Sequence, residues 1–206
     1  MKIKVCGLTD PANIAEVAQL GVDYLGFIFY SKSKRYCTLH KEVIPSTLSK
    51  RVGVFVNASL DEVQSDIQRC QLDAIQLHGE ESQSYIFSLR EQNKEVEIIK
   101  AISVSDESSI RQAHQYTTCA DYLLFDTASH LRGGSGKKFD WTLLDKYQGD
   151  LPFFISGGIE VEDAPVLQSW NHPLLYGIDL NSRFETRPGI KDINLLNTFI
   201  KTLYHE

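Results

Sequence analysis

The chain has 206 residues, 42% of them hydrophobic and 23% charged, the balance of an ordinary folded protein and of one domain spanning residues 1–206. Its 27 acidic against 21 basic side chains give a net charge of −6, which argues against a nucleic-acid surface built from surplus Lys and Arg. The opening segment Met1–Gly7 is too short an apolar run for a signal peptide, and no run is long enough to span a membrane, so the expected location is the cytoplasm.

Cys6, Cys37, Cys70 and Cys119 are spread at least 31 positions apart, without the close pairs of a zinc site, and are expected to be free thiols. The six histidines, 40, 78, 114, 130, 172 and 205, contain no H-x-x-x-H pair, and no metal is expected.

Along the chain, short β-branched and aromatic runs end near Cys6, Phe29, Val56, Leu77, Ile102, Asp126, Ile155 and Asp179, at intervals of 21 to 29 residues. Each is followed by a loop and a stretch with apolar residues at helical spacing. Asp10 before Pro11 predicts a capped helix with Ile14, Val17 and Ala18 on one face. Ser59 and Glu62 have the spacing of a capping box. Asp192 precedes a last helix whose Ile193, Leu196, Ile200 and Leu203 form an apolar stripe, widened by Leu195 and Phe199.

Strands alternating with helices demand a parallel sheet, and eight evenly spaced units favour a closed (βα)8 barrel, an α/β fold. An open Rossmann or flavodoxin-like sheet is the alternative, but no G-x-G-x-x-G follows the first strand.

In such barrels the chemistry sits at the C-terminal strand ends. Cys6 ends the first strand and Asp126 the sixth, three steps apart in an eight-strand ring, so a small ligand fits between thiol and carboxyl. Alternation puts Lys4 on the same side as Cys6, about 6–7 Å away, where it either favours the thiolate or belongs to an inner polar layer with Gln76 and Lys100. A buried structural thiol and a capping aspartate are the plain alternatives.

Anion sites are expected at Ser156-Gly157-Gly158 after strand seven and at Asp179-Leu180-Asn181-Ser182-Arg183 after strand eight, the usual phosphate-binding loops of barrel enzymes. A short helix starting near Ser182 would point its positive end there. Gly133-Gly134-Ser135-Gly136-Lys137 lacks the first glycine and the final Ser or Thr of a P-loop, and is expected to be a loop closing over the ligand beside Asp126. Ser31–Tyr36 is basic, and Arg35 suits a planar carboxylate.

Lys4-Val5-Cys6-Gly7-Leu8-Thr9, Gly26-Phe27-Ile28-Phe29, Ser33-Lys34-Arg35-Tyr36, Val52–Asn57 and Gln76-Leu77-His78-Gly79 resemble the phosphoribosylanthranilate isomerase family. So do Gly133–Lys137 with Phe139-Asp140-Trp141, Ser156-Gly157-Gly158 and Pro188–Asp192, in the family's order along essentially the whole chain.

The resemblance implies a cofactor-free isomerase of tryptophan biosynthesis. Its reaction is the Amadori rearrangement of N-(5-phosphoribosyl)anthranilate, a phosphorylated aminosugar, into the carboxyphenylamino-deoxyribulose phosphate. It implies Asp126 as general acid on the ribose ring oxygen and Cys6 as general base on the sugar C2. Arg35 would hold the anthranilate carboxylate, and Asp179 would be a ligand contact. Ser182-Arg183 departs from the family's Ser-Gly, which puts a charged side chain at the phosphate loop. The resemblance admits a homodimer as well as a monomer. Two alternatives remain: another phosphosugar barrel, such as indole-glycerol-phosphate synthase with its lysine and glutamates, or a non-catalytic phosphate-binding barrel.

Overall fold

The computed structural model describes residues 1–39, 44, 47–127 and 140–204. Eight parallel strands close into a barrel in chain order: β1 (Lys2–Cys6), β2 (Tyr24–Ile28), β3 (Lys50–Phe55), β4 (Ala74–Leu77), β5 (Glu97–Val104), β6 (Tyr122–Thr127), β7 (Phe153–Ile155) and β8 (Leu175–Leu180). The ring is sealed by β1 against β8, with Lys4 opposite Asp179 and Val5 opposite Leu180. Closure leaves no unpaired sheet edge, and it brings the first and last strands, far apart in sequence, side by side.

Side chains alternate across the barrel wall. Outward-facing residues such as Val5, Leu25, Ile75, Ile98, Leu123 and Ile178 join the large core beneath the helices, while Tyr24, Val52, Ala74, Ile99, Ala101, Leu124 and Phe154 form a second, inner cluster. At the N-terminal end Tyr24, Tyr122, Phe154 and Tyr176 plug the interior. The Tyr24 and Phe154 rings meet edge to face at 5.5 Å, and the Tyr24 and Tyr176 hydroxyls lie 3.1 Å apart. The opposite mouth, where the strands end, is left for polar groups.

The expected helix signals hold where caps fix them. Asp10 accepts from the Asn13 amide ahead of α1 (Pro11–Gln19), and Ser59 with Glu62 closes a capping box on α2 (Leu60–Cys70), each cap contributing about 1 kcal/mol. Three further helices are α3 (Gln83–Gln92), α4 (Glu107–Gln112) and α5 (Ala164–Ser169). Asp192 caps α6 (Ile193–Tyr204), which buries Leu196, Phe199, Ile200 and Leu203. Leu195 turns out to solvent, because it falls beside the stripe at a spacing that points away from the barrel.

Three further expectations change. No helix lies between β2 and β3 among the described residues: Tyr36 instead bridges to Ile28. Between β6 and β7 the described helical residues, Trp141–Lys146, form a 3-10 segment capped by Asp140. Lys100 is no inner-layer residue. It lies on the outer face of β5 between the inward Ile99 and Ala101, and donates to Glu81, to the Leu77 carbonyl and to the Gly79 carbonyl.

The inner polar layer contains Gln76 of β4, as expected, and Lys4 of β1 with Asp179 of β8. The Lys4 Nζ and Asp179 Oδ1 are 2.9 Å apart, with Lys4 fully buried and Asp179 5% exposed. Two charges withdrawn from water stabilise little as a pair, but either one alone is costly. Lys4→Met should therefore lose about 3–5 kcal/mol in urea unfolding, and Lys4→Met combined with Asp179→Leu should recover part of that loss. A single variant less than about 1 kcal/mol weaker would show that the strands do not depend on the pair.

Candidate active site

Cys6 closes β1 and is 3% exposed. It owes its place to the residue beside it: Gly26 of β2 is its register partner, and a Cβ built there would lie 2.9 Å from both Cys6 Cα and Sγ. Next along the chain, Gly7 takes φ +81°, and a Cβ on it would lie 2.6 Å from Arg35 Cδ and 2.8 Å from Asn181 Oδ1. Glycine at 7 thus lets the Arg35 side chain cross above the end of β1.

Arg35 reaches a planar carboxylate as expected of its fork, but the carboxylate is the protein's own. Its Nε lies 2.8 and 3.0 Å from the Glu185 oxygens and its Nη2 2.6 Å from Oε2. Glu185 begins β9 (Glu185–Arg187), which forms a small antiparallel ribbon with β10 (Ile190–Lys191). The same Glu185 accepts from buried Lys191 at 2.8 Å, and Lys191 also donates to Asn181 at 2.9 Å. Asn13 of α1 grips the Lys191 backbone at both its N–H and its carbonyl. Although burial works against its charge, hydrogen bonds from Arg35 and Lys191 bring Glu185 below the usual glutamate value. The bond to Glu185 likewise raises Arg35.

Burial pushes the Cys6 thiol up, and the nearby Lys4 and Lys191 ammonium groups oppose it while Asp179 reinforces it. Burial also opposes the charge on Lys4, yet Asp179 and Cys6 outweigh it and Lys4 stays above its ordinary value. Asp179 is driven up by desolvation. Lys4 pulls against that, Asp126 adds to it, and His78 offsets it. One buried carboxylate thus feels Lys4 behind the thiol and, across the mouth, both Asp126 and His78.

Asp126 projects from β6, with Oδ1 accepting from the Thr127 amide at 2.9 Å and Oδ2 lying 3.3 Å from His78 Nε2. His78 follows β4, and Gln76 Nε2 lies 2.7 Å from its Nδ1. Its loop is held from beneath by Glu81, which accepts from the Asn57 and Gly79 amides and pairs with Lys100 at 3.0 Å. Sequence reasoning passed over His78 while searching for metal spacing. The missed signal was its period of two with Gln76 at a strand end, which sends both side chains inward at the mouth.

The loop after β7 contains Gly157 (φ +94°) and Gly158 (φ +69°), conformations that favour glycine, and a Cβ on Gly157 would collide with Thr127. After β8 a short helix begins at Ser182 as expected, a single 3-10 turn over Ser182–Phe184, with Ser182 half-buried and Arg183 exposed. Gly133, Gly134, Ser135, Gly136 and Lys137 lie outside the described residues. Those described contain no group of three or more His, Cys, Asp or Glu arranged to hold a metal.

The family model of N-(5'-phosphoribosyl)anthranilate isomerase matches residues 3–202. The chain belongs to this family. It is 43% identical to the N-(5'-phosphoribosyl)anthranilate isomerase of Parabacteroides distasonis over 210 residues, covering 100% of this chain and 94% of that protein. The phosphoribosylanthranilate isomerase from Thermotoga maritima superposes with a TM-score of 0.85 at 31% identity, with both chains fully covered. A second solved phosphoribosylanthranilate isomerase is in complex with reduced 1-(o-carboxyphenylamino)-1-deoxyribulose 5-phosphate and superposes at 0.81, 30% identical over the whole of both chains. As a phosphoribosylanthranilate isomerase the protein carries out the Amadori rearrangement of tryptophan biosynthesis, and the readings as another phosphosugar barrel or as a non-catalytic one give way.

Gly26→Ala should destabilise this family member by about 1–3 kcal/mol and lower kcat/KM, since the added methyl meets backbone as well as thiol. Urea unfolding and turnover measured together check it. Unchanged values for both would mean that β1 and β2 part without consequence.

Proposed function

We propose that Cys6 and Asp126 perform the isomerisation as base and acid at the barrel mouth. The observation that supports this division of labour is the placement of the two groups: Cys6 closes β1 above the buried Lys4–Asp179 pair, 2.9 Å apart, while Asp126 projects from β6 with its Oδ2 3.3 Å from His78 Nε2. Asp126 gives a proton to the ribose ring oxygen, the C1–O bond breaks, and the anthranilate nitrogen lone pair forms the Schiff base. Cys6 as thiolate then takes the proton from C2, and the electron pair passes toward nitrogen to give the enolamine, which tautomerises to the ketose. No cofactor enters these steps.

Substrate anions meet the mouth on two sides. Phosphate is assigned to the backbone N–H groups of Gly157 and Gly158, together with Ser182 and Arg183. The anthranilate carboxylate is assigned to Arg35, whose Nε and Nη2 lie on Glu185. Asp179, held by Lys4, is assigned to the sugar hydroxyls. The family's dimeric Thermotoga maritima member supports a homodimer. A cytoplasmic location suits tryptophan biosynthesis, and no described helix is long and apolar enough to cross a membrane.

Cys6→Ala should lower kcat by about 10²–10⁴-fold with little change in KM. Because burial holds the thiol up and only thiolate serves as base, the limb of kcat/KM that rises with pH as the thiolate forms should vanish in the variant. Near-normal turnover in folded Cys6→Ala would remove Cys6 from the reaction.

Arg183→Ala tests the phosphate assignment. A charge-assisted hydrogen bond contributes roughly 1.5–3 kcal/mol, so KM should rise about tenfold to a hundredfold, with inorganic phosphate inhibition weakened in parallel. If neither moves, Gly157, Gly158 and Ser182 hold the phosphate without it.

A further inference from the structure

An acid at Asp126 has to be loaded with a proton at the pH of the cell, where an ordinary aspartate is ionised. The contacts around it suggest how. Gln76 is 1% exposed, and its Nε2 lies 2.7 Å from His78 Nδ1. An amide nitrogen only donates, so in this arrangement Nδ1 accepts, the ring proton sits on Nε2, and Nε2–H points at Asp126 Oδ2 3.3 Å away. That arrangement matches the spent form, in which the acid has given up its proton. The Gln76 Oε1 is buried with no hydrogen-bond partner among the described residues.

We infer that Asp126 and His78 hold the catalytic proton jointly, and that Gln76 is the positioning residue that switches the pair between loaded and spent forms. When a second proton enters, one lies between Asp126 Oδ2 and His78 Nε2 and the other on Nδ1, which becomes a donor. Gln76 then has to offer its carbonyl, and a half-turn of the amide exchanges Nε2 for Oε1 at the same place. After the shared proton passes to the ribose ring oxygen, Nδ1 still carries its proton and Nε2 is bare; the partly exposed ring then takes a proton from solvent at Nε2 and releases the one on Nδ1 to solvent, and the amide turns back. The amide suits both forms because it carries one donor end and one acceptor end on a planar group. This inference rests on Asp126 as the acid.

Other charged groups face the pair. Asp179 of β8 interacts with both members, Lys4 and Cys6 of β1 lie behind Asp179, and Glu81, paired with Lys100 of β5, anchors the loop that carries His78. These charges are common to the parent and to every Gln76 variant, so a change of limb between them reports the amide.

The experiment is a set of pH profiles of kcat, with folding checked by circular dichroism and by binding of the reduced product analogue. Loss of activity on the alkaline side reports loss of the acid proton. Gln76→Leu removes the acceptor for Nδ1–H, disfavours the loaded form and should move that limb to lower pH, with kcat at neutral pH down about tenfold and KM little changed. Gln76→Glu supplies a permanent acceptor and should move the limb to higher pH. His78→Ala should lose at least tenfold in kcat and regain part of it with imidazole in the buffer, whereas Asp126→Asn should be inactive and unrescued. Should Leu be poorly folded at position 76, Gln76→Glu and His78→Ala decide alone. Limbs that stay put, or move the same way in both Gln76 variants, overturn the role of the amide. Normal kcat in His78→Ala overturns the shared proton while leaving Asp126 as the acid. Normal turnover in Asp126→Asn removes the acid assignment itself.

Discussion

The buried ion pair between Lys4 and Asp179 is the constraint around which the mouth is arranged. It joins the first strand to the last across the seam that closes the barrel, and it does so one layer below the strand ends. Neither charge can be left alone in that interior, so barrel closure and the electrostatics of the site are one structural fact. Lys4 opposes the burial of Cys6, while Asp179 carries the influence of Asp126 and His78 back to the same layer.

Around that layer the two ends of the barrel are specialised. The N-terminal end is plugged by Tyr24, Tyr122, Phe154 and Tyr176, which pack edge to face and need no ligand. The C-terminal mouth holds a thiol, carboxylates, two lysines, a histidine and an arginine, several of them buried. Such a surface is expensive to desolvate, and it is satisfied by reciprocal bonds such as Glu185 between Arg35 and Lys191. Glycines at 7 and 26 are part of the same solution, since each removes a methyl that would meet a side chain of the site.

Much of the fold was legible because period, count and caps agreed. Apolar runs ending within two residues of the observed strand ends, together with the Asp10 and Ser59 caps, specify the barrel locally. Leu195 and the stretch after β2 went astray for a different reason. Helical spacing alone does not say which flank of a stripe meets the barrel, and a chain segment can pack as a turn and a single bridge where spacing suggests a helix. Lys100 was misplaced because a lysine in a strand reads as inward or outward only once the register is fixed.

The candidate site divides the same way. The order of residues by itself placed Cys6 and Asp126 at strand ends, Gly157 and Gly158 in the following loop, and Arg35 in a basic segment, because these are properties of local sequence and of its resemblance to a family. Only the tertiary structure decided that Arg35 lies on Glu185, that Lys191 sits beneath them, and that His78 meets Asp126 with Gln76 at its other nitrogen. Those contacts span 2 to 150 positions of sequence, and they form because strand alternation and barrel closure aim the side chains at one mouth.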